Sequence, residues 1–451
     1  MMASLYTAVS GLKGQQTALD VISNNISNVN TTGYKSQSVS FSDLLSQTLS
    51  SASGSSSTSG GTNAKQIGTG VSVAATNTNT TVGSTETTGV ETDVSIGGDG
   101  YLVVQGSSGS YLYTRNGELS VDDDGNLNIN GYEVCGWLST TDASGNTTVT
   151  TNNTPVKINV YSDTSMPAKT TTAISLNSAS TSGNYLDSGD TAATTATALT
   201  SIGTTPTEFD KTATVKVYDS QGNDYTATLN FKKCYVDATT NTTSWYYEVS
   251  GDSATISPSS GYIAFDSDGN LVSGTVGTDT FTTSSSLTIT PTDGSTAAFS
   301  ATLDFSGLTS TNASTTSSSD ASSLSFTQDG YAAGTMESWS VSTDGSIVVS
   351  YSNDQKKTIA QLALATFSNA SGLEKTGSSL YSSSNNSGDP VYTTAGSGGT
   401  GSLSSGTLEM SNVSLASEFT NLMIAQRAYQ ANTKVISTAD EMLQSLINMK
   451  S

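Results

Sequence analysis

The residue types that most often carry enzymatic and metal chemistry are sparse in this chain. Its 451 residues include no histidine and two cysteines, and 16 Lys and Arg stand against 38 Asp and Glu. Without histidine the chain can form neither a Ser-His-Asp nor a Cys-His nucleophile system, no histidine-ligated metal site and no imidazole proton switch. We therefore predict a protein that is not an enzyme and that holds no catalytic group, cofactor or metal.

Two acidic turns are candidates for calcium binding. The segments Asp122–Asn126 and Asp266–Asn270 combine aspartates with a glycine. A helix-loop-helix calcium site needs that glycine at its sixth position and a glutamate at its twelfth. Here the glycine follows an aspartate directly and strand-like residues flank the turn, so we predict plain hairpin turns. The segment Gly97–Gly100 precedes a predicted strand rather than a helix, which argues against a phosphate-binding loop.

The two cysteines offer a second possible chemistry. Cys135 and Cys234 both lie in predicted strands, where we expect them to be buried small hydrophobic residues. The alternative is that Lys232 and Lys233 activate the thiolate of Cys234 towards a neighbour. Successive side chains of a strand point to opposite faces, so Lys233 should point away from Cys234, which weakens this alternative.

The charge balance limits the possible partners. The formal net charge is −22, and nucleic acids and anionic membranes both require clustered Lys and Arg, so we expect neither as a partner. The N-terminus has no basic region followed by an apolar core, and no apolar run of about 18 residues could cross a bilayer. We therefore expect no cleaved signal peptide and no membrane insertion, and any export would use another route.

Both ends of the chain show helix periodicity. From Ala3 to Val29, and again from Ser411 onwards, apolar residues recur every seven positions, which keeps them on one face of a helix that packs along a partner. Neither segment supplies that partner itself, so we predict that the two terminal helices pair as a coiled coil and also pack against other subunits. Ser411 or Ser414 could cap the second helix. The predicted polymerisation seam comprises Leu5, Val9, Leu12, Leu19, Ile26, Leu415, Leu422, Tyr429, Ile436 and Leu443.

The middle of the chain has the pattern of strands and turns. Turn-forming pairs around Gly125, Gly222, Gly269 and Gly345 separate β-branched and aromatic runs, which is typical of hairpins. The predicted fold class is α+β, mainly β, with hairpin-rich, barrel-like domains inserted between the paired helices. A Ser/Gly-rich stretch at 46–66 predicts a linker or exposed loop. The predicted domains are a terminal helical domain (1–35 and 408–451), a connecting segment (36–75), an inner β domain (76–144 and 326–407) and an outer β domain (145–325).

Long motifs at both ends resemble the signatures of bacterial flagellar rod and hook proteins. The N-terminal motif comprises Ala8–Leu12 and Asn24–Lys35, and the C-terminal motif comprises Ser411–Glu418 and Met423–Asp440. The segment Tyr113–Gly117 resembles both rod and hook members, whereas Ala168–Thr172, Val217–Asn223 and Ser350–Asp354 resemble hook members specifically. The motif residues that the resemblance singles out are Asn24, Asn25, Asn28, Gly33, Tyr34, Gln426 and Arg427.

The resemblance implies a structural subunit of the flagellar hook. Such subunits polymerise into a flexible curved tube that connects the rod to the filament and transmits motor torque as a universal joint. Implied partners are further copies of the chain, rod proteins, a hook cap protein, hook–filament junction proteins and the flagellar type III export apparatus. The implied location is the extracellular hook, reached without a cleaved signal peptide.

Two other hypotheses remain open from the sequence. A distal rod or other axial subunit would share the terminal motifs. A Ser/Thr-rich secreted adhesin or surface-layer protein would suit the β-rich middle, although it would not explain the matched helices. Two interpretations of Arg427 also remain: an exposed side chain, or an ion pair with a carboxylate, either Asp20 across the seam or one in a neighbouring subunit.

Overall fold

The structure is a computed structural model, which divides into two compact units. Unit 1 comprises Met1–Asp163, Ser338–Ser350 and Lys356–Ser451, and unit 2 comprises Thr164–Glu337 and Tyr351–Gln355. The sequence predicts loops and domain connections at 145–210 and 306–323, and the parts of these stretches at 187–208 and 311–323 lie outside the described residues. The structure describes residues 2–55, 60–106, 109–141, 147–151, 154–176, 185–186, 209, 211–236, 242–276, 279–292, 294, 296–310 and 324–449.

Helices at both ends enclose a long series of strands. Helix α1 spans Met2–Ser27, followed by β1 (Gln37–Asp43), β2 (Ser46–Ser50), β3 (Lys65–Gly68), β4 (Val71–Thr78), β5 (Thr85–Thr87), β6 (Val94–Ile96), β7 (Tyr101–Gln105), β8 (Tyr111–Thr114), β9 (Ser120–Val121), β10 (Leu127–Ile129), β11 (Tyr132–Thr141), β12 (Thr147–Val149) and β13 (Val156–Lys157). Then come β14 (Ser165–Met166), β15 (Ala173–Leu176), β16 (Tyr185–Leu186), β17 (Lys211–Tyr218), β18 (Asp224–Val236), β19 (Thr243–Asp252), β20 (Ala254–Ser257), β21 (Ser260–Phe265), β22 (Leu271–Val272), β23 (Gly274–Val276), β24 (Asp279–Phe281), β25 (Ser284–Pro291), β26 (Phe299–Asp304), β27 (Thr309–Ser310) and β28 (Phe326–Gln328). The last elements are β29 (Gly334–Val341), β30 (Ser346–Tyr351), β31 (Lys356–Leu362), β32 (Leu364–Thr366), β33 (Glu374–Gly377), β34 (Leu380–Ser382), β35 (Val391–Thr393), β36 (Leu403–Ser405), β37 (Thr407–Glu409) and α2 (Leu415–Asn448).

The two terminal helices pack against each other, and this part of the fold prediction is confirmed. The contact uses small residues that the periodicity did not single out. A Cβ on Gly11 would lie 2.8 Å from the side-chain amide of Asn432, and one on Gly14 would lie 3.1 Å from the ring of Phe41 in β1. Glycine thus brings α1 close to α2 on one side and to β1 on another, so its cost in helix propensity is offset by packing.

Helix α2 begins as predicted but without the predicted cap. Ser414 occupies the N-cap position, yet its side chain makes no capping hydrogen bond. Glu418 lies in the first turn, where a negative charge complements the helix dipole. The 34 residues of α2 correspond to a length of about 50 Å.

The segment 36–75, predicted as a connection, forms paired strands. Strand β1 pairs antiparallel with β4, from Gln37 opposite Thr78 to Asp43 opposite Val71. Strands β2 and β3 form a second antiparallel pair in which Leu49 and Ile67 are 62% and 52% exposed. The Ser/Gly-rich composition conceals these strands because few of their side chains enter a core.

Unit 1 is built on an array of short antiparallel strands. Strand β11 pairs with both β7 and β31, and the order continues through β8 to β34 and β33. Aromatic rings fill one core there, with Tyr113 edge-on to Phe367 at 4.7 Å between centroids and Tyr101 edge-on to Tyr381 at 5.6 Å. Such ring pairs contribute about 0.5–1.5 kcal/mol each beyond the area they bury.

Unit 2 consists of two principal sheets that share one hydrophobic core. One sheet has the order β17-β18-β19-β21-β24-β23, and the other has the order β20-β25-β26-β15-β28. Apolar side chains from both sheets form the core, including the fully buried Phe231, Trp245 and Leu287. The alternation of buried and exposed residues along β17 matches a strand with one face on this core.

The hairpin prediction is confirmed at the turns where it can be followed. Strand β17 pairs with β18 across Gly222, and β21 pairs with β22 across Gly269, with positive φ angles of 88° and 83° at the two glycines. The carboxylate of Asp266 accepts hydrogen bonds from the backbone amides of Asp268 and Asn270 at 2.9 and 2.8 Å. The aspartate that resembled a calcium ligand therefore stabilises the turn.

Asp219 holds the corresponding turn after β17 from a fully buried position. Its carboxylate accepts hydrogen bonds from the backbone amides of Gln221 and Asn223, each at 2.9 Å, and from the hydroxyl of Thr296 at 2.8 Å. Burial by itself would raise the pKa of Asp219, but these hydrogen bonds and that from the Asn223 side chain outweigh it and lower the pKa to about 2. Asp219 thus stabilises unit 2 in its ionised form.

A buried cluster of three charges joins the end of α1 and the start of α2 to the β structure of unit 1. Glu409, at the end of β37, forms ion pairs with the Nζ of Lys35 at 2.5 Å and with a guanidinium nitrogen of Arg115 at 3.2 Å, and all three side chains are at most 2% exposed. Lys35 also donates to the carbonyl of Thr81 at 2.7 Å. Burial lowers the pKa of Lys35 even though Glu409 favours its charged form. The guanidinium of Arg115 lies 5.1 Å from the centre of the Tyr101 ring.

Acid should weaken unit 2 through Asp219. Because the folded-state pKa of about 2 lies below the unfolded value of 3.8, its stabilisation is complete above about pH 4 and is lost as pH falls through 2. We expect Asp219→Asn to remove about 2 kcal/mol at pH 7 and to flatten the acid dependence. Amide hydrogen exchange in β17 and β18 measures this. Asp266→Asn, at an exposed turn, is the matched control, and equal effects of both variants would contradict the assignment.

Neutralising Glu409 should destabilise unit 1 strongly. The Glu409→Gln variant leaves two buried cations without a counter-charge, which costs about 3–5 kcal/mol. Calorimetry together with amide exchange in β37 and β5 checks the loss. Glu118→Gln is the control, because Glu118 is exposed in the same unit and its loss should change stability by less than about 0.5 kcal/mol. A small effect of Glu409→Gln would show that the cluster does not fix the end of α1 and the start of α2 to the strands.

Candidate functional site

The predicted seam residues lie on α1 and α2, and packing within the chain covers them only in part. The seam residues lie along the line where α1 and α2 meet, and part of their apolar surface remains exposed after the two helices have packed together. The half-buried members are Leu5, Leu12, Leu19, Ile26, Leu422, Ile436 and Leu443, and the exposed members are Val9, Leu415 and Tyr429, at 41%, 42% and 39%.

A second apolar face of α2 is more exposed than the seam. At about 100° per residue, its members fall within a wedge of about 60° beside the face that carries the buried Ala425 and Ala439. We call this face the lateral stripe; it comprises Ile424, Val435, Met442, Leu446 and Met449, which are 44% to 87% exposed. Contiguous apolar surface of this kind marks an interaction site in a soluble protein.

A groove of about 360 Å³ between α1, β1 and α2 continues this stripe. Ala18 and Ile22 of α1 line one wall, Val39 of β1 lines another, and Ile424 of α2 belongs both to the groove and to the stripe. The groove and the lateral stripe together form one uncovered apolar surface on unit 1.

Asn25 fixes the end of α1 to the first strand. This side chain is 1% exposed, and its amide nitrogen donates to the carbonyl of Gln37 at 2.7 Å. Its amide oxygen accepts from the backbone amide of Gln37 at 3.0 Å and from the hydroxyl of Tyr34 at 3.2 Å. Asn25 thereby sets the direction in which the chain leaves the helix.

Asn24 and Asn28 complete the last turn of α1. The side chain of Asn28 donates to the carbonyl and the amide oxygen of Asn24, both at 2.9 Å, and its own oxygen accepts from Thr31 at 3.1 Å. The Asn24 carbonyl also accepts from the backbone amide of Asn28 at 3.2 Å, so the side-chain bonds reinforce the helix hydrogen bond at the end of α1.

Gly33 and Tyr34 contact the β structure directly. Gly33 has a φ of +65°, and a Cβ there would lie 2.6 Å from the backbone of Arg115, so only glycine fits. Its amide donates to the carbonyl of Glu409 at 2.8 Å. Burial, followed by the charge of Glu418, raises the pKa of Tyr34, and the Nζ of Lys375 lies 4.3 Å from its ring centre.

The two motif residues on α2 point away from the core. Gln426 and Arg427 are both exposed. Arg427 forms no ion pair with Asp20 or with any other residue that the structure describes. Of the two interpretations, the exposed side chain agrees with the structure, and a pair across the seam within one chain does not. Successive residues of a helix are rotated by about 100°, and this rotation places Arg427 on a different side of α2 from the residues that contact α1.

The cysteines differ from each other. Cys135 in β11 is fully buried, and burial raises the pKa of its thiol to about 12, which confirms a small hydrophobic role. Cys234 is only half-buried, so its predicted burial is wrong. The pairing register of β18 shifts between Lys233 and Tyr235, and such a bulge displaces the residue from regular alternation.

The described ranges contain neither a metal-ligand cluster nor a helix suited to crossing a membrane. No three Cys, Asp or Glu side chains there come together as ligands for a metal ion. No helix among the same residues combines the length and hydropathy needed to cross a bilayer.

No sequence pattern predicts that Lys35, Arg115 and Glu409 form a cluster. Lys35 is the last residue of the N-terminal motif, and Arg115 is the middle residue of the Tyr113–Gly117 motif. Two cations within motifs of a chain with 16 Lys and Arg were the available signal, because a Lys or Arg that is fully buried is almost always paired with an opposite charge.

Family models cover the main parts of the chain. Residues 5–35 match "Flagella basal body rod protein" and residues 404–449 match "Flagellar basal body rod FlgEFG protein C-terminal". Residues 95–173 match "Flagellar hook protein FlgE/F/G D1 domain", and residues 185–331 match "Flagellar basal body protein FlaE D2 domain". The terminal matches coincide with the two helices and the Asn24–Lys35 motif.

Full-length relatives distinguish between the members of this group. The flagellar hook protein FlgE of Treponema pallidum is 36% identical over 100% of both chains, and that of Escherichia coli is 32% identical over 98% of this chain and 99% of its own. The flagellar basal-body rod protein FlgG of Bacillus subtilis is 27% identical over 100% of both chains. The hook proteins are thus more similar than this rod protein, and the matched helical ends argue against an adhesin. The chain belongs to the flagellar hook protein family.

Proposed function

We propose that this hook subunit polymerises into a tube by burying the lateral stripe and the exposed part of the seam against neighbouring copies. The observation that supports this most is the apolar exposure of α2, where Met442 and Leu446 are 53% and 54% exposed on one face. In such a polymer the two terminal helices act as a coiled coil and line the inside of the tube.

The energy available from these faces is sufficient for assembly. Fully burying one large apolar side chain contributes about 1.5–3 kcal/mol. Half-burying the five residues of the stripe therefore supplies several kcal/mol per contact, which can offset the ordering of side chains at an interface. Helices of this kind gain most of their stability from packing.

The role of unit 2 in this proposal is mechanical. Its own core makes it stable without neighbours, and its Ser/Thr-rich surface offers contacts that are individually weak. Weak polar contacts can exchange at small cost, as a bending tube requires. The tube would connect rod to filament and transmit torque as a universal joint, and the subunit has no catalytic role.

The remaining parts of the proposal follow from the family. Rod proteins, a hook cap protein and hook–filament junction proteins would be the contacts at the ends of the tube. Export would proceed through the flagellar type III apparatus without a cleaved signal peptide. Terminal helices that depend on neighbours for full burial support delivery in an unfolded state followed by folding at the growing end.

A charge within the lateral stripe should block assembly and leave the monomer intact. In Ile424→Glu and Met442→Glu, the carboxylate is solvated in the free chain but would be desolvated in the polymer. We expect the critical concentration for polymerisation to rise at least about tenfold, whereas monomer stability changes by less than about 0.5 kcal/mol. Sedimentation and electron microscopy measure the first quantity, and calorimetry measures the second.

Gln430→Glu provides the matched control for this test. Gln430 is an exposed residue of α2 about 100° or more around the helix from the stripe, and the variant adds the same charge. Normal tubes from the stripe variants, or equal inhibition by the control, would refute the stripe as the polymerisation surface.

Arg427 is proposed to pair with a carboxylate of a neighbouring subunit. We expect Arg427→Ala to raise the critical concentration by about threefold and to reduce its dependence on salt, as loss of an interfacial ion pair should. Arg427→Lys, which keeps the charge, should lose less. Light scattering at two ionic strengths checks the effect, and an Arg427→Ala protein that assembles normally would eliminate this role.

A further inference from the structure

Lys375 lies in a pocket where its charge has no counter-charge. The pocket has a volume of about 350 Å³ and lies between the end of α1 and the β33–β34 hairpin, within unit 1. The Nζ of Lys375 donates to the carbonyl of Lys35 at 2.8 Å and lies over the ring of Tyr34. No carboxylate among the described residues is within ion-pair distance of it.

We infer that this pocket binds an Asp or Glu side chain from a second copy of the chain. The inference rests on the proposed polymerisation. It adds a polar contact near the end of α1, separate from the apolar lateral stripe. An ammonium group carries three donors, and one donor direction is used by the Lys35 carbonyl. The remaining N–H groups are available to an acceptor that enters the pocket.

The lining of the pocket suits a carboxylate. Ser378 and Ser379 form its rim on the hairpin side, and Asn24 and Thr31 form its rim on the helix side. The hydroxyls of Thr31 and Ser379 already donate to Asn28 and to the Thr32 carbonyl. The Ser378 hydroxyl and the Asn24 amide group can donate to a carboxylate that pairs with the ammonium, and such charge-assisted bonds are stronger than neutral ones. Partial burial lowers the pKa of Lys375 to about 8, and the residue as a whole remains exposed to an approaching chain.

The charge distribution favours a second copy as the source of the carboxylate. Five other lysines of the chain have carboxylate partners within it: Lys35 with Glu409, Lys157 with Glu133, Lys169 with Asp329, Lys216 with Asp224 and Lys357 with Asp163. Each copy carries a net charge of −22, so assembly brings surfaces of like charge together. An unpaired cation placed where copies meet attracts the acidic surface of the next copy and lowers this repulsion.

Zero-length crosslinking tests the contact directly. Polymer formed from an equal mixture of ¹⁴N- and ¹⁵N-labelled wild-type chains is treated with a carbodiimide, which joins an amine to a carboxylate only when they are in contact. We expect a Lys375 peptide joined to an Asp- or Glu-containing peptide, with about half of the products carrying mixed labels. Crosslinks of Lys375 with a single label only, or no crosslink at Lys375, would overturn the inference.

Variants give an independent measurement. At low salt, Lys375→Met should raise the critical concentration about threefold to tenfold, with the difference shrinking as salt screens the pair. Lys375→Arg keeps the charge and should restore most of the assembly. Lys356→Met is the matched control, because Lys356 is an exposed lysine of unit 1 outside the pocket. Melting curves of the free chains establish that each variant is folded.

The outcomes separate this inference from the proposed function. If Lys375→Met assembles like wild type while the lateral-stripe variants do not, the pocket has no role and the apolar polymerisation surface stands. If wild-type chains form no polymer at all, both are overturned. An effect of Lys375→Met that is equal at low and high salt, and that Lys375→Arg does not restore, would show a packing role instead and contradict a carboxylate contact.

Discussion

The burial of Glu409 between Lys35 and Arg115 is the constraint on which the arrangement of unit 1 depends. Lys35 lies eight residues after the end of α1 and Glu409 six residues before the start of α2, so one cluster fixes where both helices meet the strands. Three buried charges are costly unless all are present and correctly placed. The cluster can therefore form only when the two ends of the chain and the Arg115 loop have come together.

The position of this cluster affects the surface of the helices. The end of α1 and the start of α2 are held in place, and the two helices meet through small residues such as Gly11, which leaves part of the apolar seam exposed. A helix pair that closed completely would be a stable monomer with nothing to offer a neighbour. The incomplete closure seen at Leu415 and Tyr429 is what a subunit needs if the same helices must serve the chain and the polymer.

The sequence predicted the parts of this arrangement that depend on local pattern. Seven-residue periodicity identified both helices and their need for a partner, and Asp-Gly turns identified hairpins such as that at Gly222. The cluster was beyond such reasoning, because Lys35 and Glu409 are 374 residues apart and no periodicity connects them. The strands within 36–75 were missed for another reason: they are stabilised by backbone pairing, and their side chains carry little hydrophobic signal.

The few cations of the chain show how an acidic protein can assemble with itself. Five lysines are paired with carboxylates of the same chain, and Asp and Glu outnumber Lys and Arg by 38 to 16, so each copy carries a large excess of negative charge. Apolar contacts alone would then have to overcome repulsion between copies. Lys375 lies near the end of α1, beside the residues that connect both helices to the strands. Its ammonium group is presented to the next copy only when this region is correctly folded. Folding of this region and recognition of the next copy would in this way depend on the same residues.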